Sequence, residues 1–250
     1  MRLDLYLVQK GFAESRERAK TLIKSGAVAV DGRIITKSAE DIPTGQITPT
    51  DGSNTANIPA PEIEILSPLK YVSRGGYKLE FALDSFSVFP KDKICMDIGA
   101  STGGFTDCLL QRGARRVYAV DVGTAQLHPT LFADPRVISL EQSDFRTLEF
   151  SGEAIDLFVC DVSFISVTKI LPGIFALMGS GSSALILIKP QFEGAGYRKN
   201  GVIKDKRERL KAVTNVVSEA EAFGFAKMAV KECPFTGKDG NVEYFLYVNV

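Results

Sequence analysis

Several charged residues stand where apolar runs stop, and that placement suits chemistry at one edge of a sheet. Asp97 follows Ile94-Cys95-Met96, Asp121 follows Val117-Tyr118-Ala119-Val120, and Asp161 follows the run from Ile155 to Cys160. Asp144, in Gln142-Ser143-Asp144-Phe145, follows the third such run in chain order, at 137–140. Acids at successive strand ends can accept hydrogen bonds from ribose hydroxyls and base amino groups. Singly, each could equally cap a helix or a turn. Lys189 ends Leu185-Ile186-Leu187-Ile188 and precedes Pro190, so its backbone is pushed towards extended geometry. A buried ammonium there needs carboxylate partners or loses its proton. Asp161 is the natural partner, Glu243 opens the last strand, and Lys78 lies in the helix before the first. The bland alternative for each is a terminal charge that snorkels to water.

The first of these acids opens a loop of small residues, Asp97-Ile98-Gly99-Ala100-Ser101-Thr102-Gly103-Gly104-Phe105-Thr106. The spacing is not G-x-G-x-x-G, and no G-K-[ST] follows. A loop of this kind fits a nucleotide-like cofactor without a pyrophosphate. It resembles motif I of S-adenosylmethionine-dependent methyltransferases. That resemblance implies S-adenosylmethionine as cofactor, held by Asp97, Gly99, Ser101, Gly103, Gly104, Phe105, Asp121, Asp144 and Asp161.

The elements that must position these groups follow from periodicity. Leu79, Ala82, Leu83 and Phe86 fall at i, i+3, i+4 and i+7 and predict an amphipathic helix over 78–86. Strands are predicted at 94–98, 116–121, 137–140, 155–160, 184–189, 226–231 and 243–249, with helices over 104–112, 167–178 and 207–223. This alternation predicts an α/β domain with a mostly parallel, Rossmann-like seven-stranded sheet covered on both faces. The last strand follows another without an intervening helix and is expected to form an antiparallel edge after a turn at Lys238-Asp239-Gly240-Asn241.

The N-terminal region differs. Leu3, Leu5, Tyr6 and Leu7 open a short helix, Ser15 caps a second, and Ala19, Leu22 and Ile23 face inward. Gly26 ends that helix, and 28–30 and 33–35 read as a hairpin across Asp31-Gly32. Between Lys10 and Lys37 stand seven Lys/Arg against three Asp/Glu. Arg16, Lys20 and Lys24 form a stripe, joined by Arg33 and Lys37. A solvated face is one reading of such a stripe, and a phosphate-contacting surface is the other. The pattern R-L-D-x-x-L, S-R-x-x-A-x-x-L-I-x-x-G-x-V-x-V-D-G resembles the S4-like RNA-binding domain, a small α+β module. The resemblance implies structured RNA bound through shape and phosphates, with Arg2, Arg16, Arg18, Lys20, Lys24, Arg33 and Lys37 as contacts. Residues 1–60 are assigned to this domain and the start of a linker, 61–70 to the linker, and 71–250 to the second domain; Pro, Gly, Ser, Thr and Asn crowd the region from Pro43 to Pro68, around a short strand at Ile63-Glu64-Ile65.

Lys78 in S-R-G-G-Y-K-L, Asp161 in C-D-V-S-F-I-S, Lys189 in I-K-P-Q-F-E and Glu243 in N-V-E-Y-F-L resemble the Lys-Asp-Lys-Glu tetrad of FtsJ-like ribose 2′-O-methyltransferases. With the S4-like domain, the whole chain resembles the TlyA/hemolysin A family. That likeness implies rRNA 2′-O-methylation of cytidines in ribosomal subunits by in-line transfer. Lys189 is then the steering group and base, Asp161 and Glu243 position it, and Lys78 completes the network. Tyr77, Phe164 and Phe192 could stack on a flipped base or simply pack. Arg198, Lys199, Lys204, Lys206 and Arg207 form a basic loop that could close over RNA or merely be solvated. The alternative functions are a noncatalytic RNA-binding assembly factor and the membrane-active haemolysin that the family name records.

Composition bounds these readings. Thirty Lys/Arg balance thirty Asp/Glu, so any affinity for nucleic acid must be local. No apolar run reaches the roughly 18 residues of a membrane span, and Met1-Arg2-Leu3-Asp4 does not begin a signal peptide. A cytoplasmic protein with neither membrane nor metal partner is expected. Cys95, Cys108, Cys160 and Cys233 form no C-x-x-C pair and read as free thiols, and the lone His128 cannot build a histidine metal site. A base-directed methyltransferase would carry an Asn/Asp-Pro-Pro-Tyr/Phe motif or a catalytic Cys; here the position reads Asp161-Val162-Ser163-Phe164.

Overall fold

A computed structural model describes residues 1–24, 26–43, 60–66, 70–194, 201–237 and 240–250. The chain forms two units, Met1–Ser73 and Arg74–Val250.

In the first unit, α1 (Leu3–Gln9) and α2 (Arg16–Lys24) pack on a small antiparallel sheet in the order β2 (Arg33–Ile34), β1 (Val28–Val30), β3 (Ile63–Ile65). Ser15 caps α2 by accepting a hydrogen bond from the Arg18 backbone N–H at 3.2 Å. That frees Ala19, Leu22 and Ile23 to turn inward onto Leu3, Leu7 and Val28. The hairpin turns on Asp31 and Gly32, with φ of 49° and 75°, the two left-handed residues that a tight two-residue turn needs. β3 lies within the stretch read as linker, but pairs along β1 from Val28↔Ile65 to Val30↔Ile63 and so belongs to the sheet of this unit. The rest of the linker reading, over 44–59 and 67–69, lies outside the described residues.

The second unit is a seven-stranded sheet. Its strands are β4 (Ile94–Ile98), β5 (Arg116–Val120), β6 (Val137–Leu140), β7 (Ile155–Cys160), β8 (Met178–Ile188), β9 (Lys227–Glu232) and β10 (Tyr244–Asn249), in the order β6-β5-β4-β7-β8-β10-β9. The first five are parallel, and β10 runs antiparallel to both of its neighbours. Ala184 to Ile188 are wholly buried, as expected of a parallel strand covered on both faces. α3 (Gly75–Phe86), α4 (Gly104–Gln111), α6 (Leu171–Leu177) and α8 (Lys206–Phe223) are the longer helices of this unit, and the short α5 (Pro129–Phe132) and α7 (Pro190–Glu193) lie between strands. α8 begins at an Asp205 cap and stops at Gly224, whose φ is 95°.

One expectation is corrected. The final strand is antiparallel, but it is not the edge; it is inserted between β8 and β9. Tyr244, Phe245, Leu246 and Val248 are buried, so this strand needs cover on both faces and both sides. β9, with Lys227, Lys231 and Glu232 exposed, can tolerate an open edge. The turn predicted at 238–241 includes Lys238 and Asp239, which lie outside the described residues.

Candidate active site

The strand order reverses at β4, which has β5 on one side and β7 on the other. A crevice at the carboxyl ends of these strands is where such sheets bind ligands. A cavity of about 630 Å³ lies there, with Gly99, Ser101, Asp121, Asp144, Asp161 and Phe164 in its wall. Five of the nine predicted cofactor residues thus meet in one cavity. Asp97, Gly103, Gly104 and Phe105 do not line it and are buried. Gly103, at φ 90°, turns the chain into α4, and Phe105 packs inward on Phe245 with ring centroids 6.2 Å apart.

Asp121 organises the loop. Its Oδ2 accepts from the Ser101 N–H at 2.8 Å and its Oδ1 from the Gly123 N–H at 2.7 Å. Asp144 caps the turn Phe145–Thr147 and forms an ion pair with Arg146 at 2.5 Å. Its carboxyl is held below the usual range by that guanidinium. Asp97 is fully buried. Thr106 Oγ1 donates to its Oδ2 at 2.7 Å, while Oδ1 finds no hydrogen-bond partner among the described residues. Burial pushes this carboxyl up to about 7. Gly99 has φ 85°, and a Cβ there would stand 2.7 Å from the Asp161 carbonyl oxygen. Glycine is therefore required where the loop after β4 crosses the end of β7.

The four tetrad residues converge. Lys189 Nζ lies 2.6 Å from Asp161 Oδ1 and donates a hydrogen bond to Ser163 Oγ at 2.7 Å. The contact with Asp161 is ionic; the directed hydrogen bond goes to the serine. Lys78 Nζ donates to Glu243 Oε2 at 2.5 Å, with the two side chains 11% and 3% exposed. The pairs feel each other: Asp161 acts on Lys78, and Lys189 on Glu243. Burial alone would lower the Lys78 ammonium, but Asp161 and Glu243 outweigh it and its pKa is raised. Glu243 is raised because burial outweighs its lysine partners.

Two residues of the site escaped the sequence reading. Ser163 lies two positions past Asp161 and gives no signal of its own. Glu193 is buried, accepts from Ser166 Oγ at 2.5 Å and from the Val167 N–H at 3.1 Å, and so fastens α7 to the loop after β7. Its position four residues after Lys189 was the available hint. Phe164, at φ 66° and 68% exposed, projects from that loop with its ring 5.5 Å from Phe192. Tyr77 is half-buried, 6.4 Å from the Phe235 ring.

The predicted RNA contacts differ in setting. Lys24, Arg33 and Lys37 are exposed. Lys20 pairs with Glu17 at 2.8 Å, and Arg18 donates to the Tyr71 carbonyl at 2.8 Å. Arg2 and Arg16 both hold Asp4. Of the basic loop, Lys204, Lys206 and Arg207 are exposed, and Arg198 and Lys199 lie outside the described residues.

All four cysteines are buried and none forms a disulfide. Burial pushes Cys233 up to about 11 and Cys95 up to about 12, and raises Cys160 further, so none of these three is a thiolate nucleophile at neutral pH. His128 caps α5 through its ring. Among the described residues no cluster of three His, Cys, Asp or Glu could hold a metal ion, and no helix is long and apolar enough to cross a membrane.

The strand order, the reversed last hairpin and the acid-lined crevice together define a methyltransferase fold of the seven-stranded α/β kind. Residues 71–250 match the FtsJ-like methyltransferase model and residues 1–47 the S4 domain. The chain belongs to the FtsJ-like methyltransferase family and carries an S4 domain ahead of it. It is 41% identical over 252 residues to Hemolysin A of Brachyspira hyodysenteriae, covering 99% of each chain. It is 40% identical to the 16S/23S rRNA (cytidine-2′-O)-methyltransferase TlyA of Mycobacterium tuberculosis, over 99% of this chain and 89% of that one. A solved structure from Streptococcus thermophilus, described as a candidate hemolysin, superposes with a TM-score of 0.72 at 38% identity, over 99% of this chain and 87% of that one.

Proposed function

We propose that this protein is an S-adenosylmethionine-dependent ribose 2′-O-methyltransferase acting on cytidine in rRNA, in the cytoplasm. The observation that carries the reading is the pair of buried lysine–carboxylate contacts, Lys189–Asp161 and Lys78–Glu243, at the same sheet edge as the cavity.

The cavity suits S-adenosylmethionine. Asp121 stands at the end of β5 for the ribose hydroxyls. Asp144 is available to the adenine amino group through the acceptor capacity that Arg146 leaves. Gly99 and Ser101 line the floor. Asp97, buried at the end of β4, adds a carboxyl whose charge a cationic methionine end in the cavity would favour. When bound, this cofactor supplies an electrophilic methyl carbon. The chain must then aim and deprotonate a poor nucleophile. Lys189 directs the 2′-oxygen, and the hydroxyl proton passes to the Lys189–Asp161 pair. Ser163 fixes the Nζ orientation, while Glu243 and Lys78 balance the buried charge. Much of the rate should come from holding the oxygen against the methyl carbon. Of Tyr77, Phe164 and Phe192, Phe164 is the most exposed and so best able to meet a base turned out of its stack.

The test is transfer of labelled methyl to ribosomal subunits lacking the endogenous modification. Label should appear on a ribose 2′-oxygen of a cytidine and vanish in Lys189→Ala while cofactor binding persists. Transfer by that variant within tenfold of the parent would remove Lys189 from the role, because a general base is worth about 10²–10⁴ in rate.

A further inference from the structure

The first unit holds an ionic cluster of its own. The Asp4 side chain, on α1, is 0% exposed, yet it meets two arginines that are 40% and 46% exposed. Arg2 Nε donates to Oδ1 at 3.1 Å and Arg2 Nη2 to Oδ2 at 3.0 Å, a two-pronged grip. Arg16 Nε donates to the same Oδ2 at 3.0 Å from α2. The backbone beneath is pinned as well, with the Asp4 N–H on the Ser38 carbonyl at 3.2 Å and the Leu3 N–H on the Glu40 carbonyl at 2.8 Å. Burial would raise the Asp4 carboxyl, but the two guanidinium groups hold it below its ordinary value, so it stays ionised at neutral pH.

The asymmetry is informative. An exposed ion pair contributes little to stability, and here only the anion is hidden. A guanidinium has five N–H donors in a rigid fork. Asp4 engages two from Arg2 and one from Arg16, which leaves donors on outward edges whose direction the buried carboxylate has set. Two cations on one anion leave the cluster at +1. Asp41 offsets part of that charge on the Arg2 side, and Glu17, next to Arg16, is paired with Lys20.

We propose that Asp4 is a positioning residue that presents Arg2 and Arg16 as one preset double-guanidinium grip for backbone phosphates of a structured RNA. Phosphate is the fitting partner because a fixed fork recognises it bidentately, and structured RNA is read largely through its backbone. This rests on the reading of the first unit as an RNA-binding surface. Asp4 itself touches no RNA; it removes the freedom of two long side chains before binding.

The sign of one substitution separates positioning from simple charge. Asp4→Asn removes a negative charge beside the surface, so charge alone predicts tighter binding. Loss of positioning predicts weaker binding. The experiment measures filter binding of deproteinised 23S rRNA to the full chain across about 50–200 mM KCl. Arg2→Ala/Arg16→Ala should weaken binding and lower the salt slope by about 2. Asp4→Asn should weaken binding about three- to tenfold in the parent, and leave it unchanged in the double-alanine background. Arg16→Lys keeps the charge but not the fork, and should lose about fivefold with little change in slope. Unchanged or tighter binding by Asp4→Asn overturns the proposal, as does parent-like binding by Arg16→Lys. Equal loss from Asp4→Asn in both backgrounds marks a fold defect and overturns it too. Parent-like binding by the double-alanine variant instead removes the RNA surface itself, and the grip with it.

Discussion

Lys78→Met isolates the buried charge network in one substitution. Lys78 lies on α3 with its side chain nearly buried, and methionine keeps most of that volume while removing the ammonium. Glu243, its side chain 3% exposed, then loses the group 2.5 Å away. Removing one partner of a buried pair destabilises by about 3–5 kcal/mol. For a domain of this size each kcal/mol lowers Tm by about 2–4 °C, so the loss near pH 8.5 should be about 6–20 °C. It should not be constant with pH. Glu243 already has a raised pKa with Lys78 present, against an ordinary value of 4.5. Without that ammonium the native carboxyl is raised further, although Lys189 still favours its ionised form. A group raised in the folded state stabilises below its unfolded pKa and loses that contribution as pH rises through its folded pKa. The variant should therefore recover on acidification towards 4.5, by about 1.4 kcal/mol for each pH unit in which only the unfolded state is ionised. Calorimetric unfolding of parent and variant at about pH 5.5 and 8.5 reads the difference. A Tm deficit that is equal at the two pH values, or larger in acid, would refute the account of Glu243 as a desolvated carboxylate held by Lys78.

Two further outcomes follow from the cavity. Asp97, at about 7, should ionise more fully when a cationic ligand end binds in the cavity, so S-adenosylmethionine binding near pH 6 should release a fraction of a proton. Calorimetry in buffers of different ionisation enthalpy should see this in the parent and lose it in Asp97→Asn, which should also bind more weakly; a buffer-independent enthalpy in the parent would sink the idea. Gly99→Ala must place a Cβ 2.7 Å from the Asp161 carbonyl oxygen at φ 85°. It should be destabilised by about 1–3 kcal/mol and bind the cofactor poorly, and parent-like Tm and affinity together would contradict the close crossing of the two loops.

The parts of this chain that were legible in sequence are those governed by local pattern. Leu79, Ala82 and Leu83 announced α3 by their spacing, Asp31-Gly32 announced the hairpin, and the apolar runs ending in Asp97, Asp121 and Asp161 announced the parallel strands with their acids on one edge. Lys78, Asp161, Lys189 and Glu243 were singled out through motifs that resemble the FtsJ-like tetrad, and the structure joins them in two ion pairs. What escaped depends on contacts distant in sequence. Nothing local tells β10 to enter between β8 and β9, because pairing partners are chosen by which neighbour buries Phe245 and Leu246 best. The linker reading at 61–70 followed the Pro-rich composition around Ile63–Ile65, whereas partnership with Val28–Val30, over thirty residues earlier, made that strand part of a sheet. Arg2 and Arg16 read as RNA contacts with nothing to orient them, since a buried acid such as Asp4 is invisible until the fold hides it. Ser163 and Glu193 were missed for a related reason: their value lies in tying a loop, and tying needs two ends.

The late insertion of β10 bears on how the enzyme is made. During synthesis β8 and β9 emerge before the strand that must lie between them, so the open half of the sheet has to wait with a gap in it. Glu243 arrives at the threshold of that same strand. A nascent chain can therefore hold its S4 domain and its cofactor crevice while it still lacks the carboxylate that neutralises Lys78. Completion of the sheet and completion of the charge network are then one event, and a chain stalled before Glu243 would leave the Lys78 ammonium without its carboxylate partner.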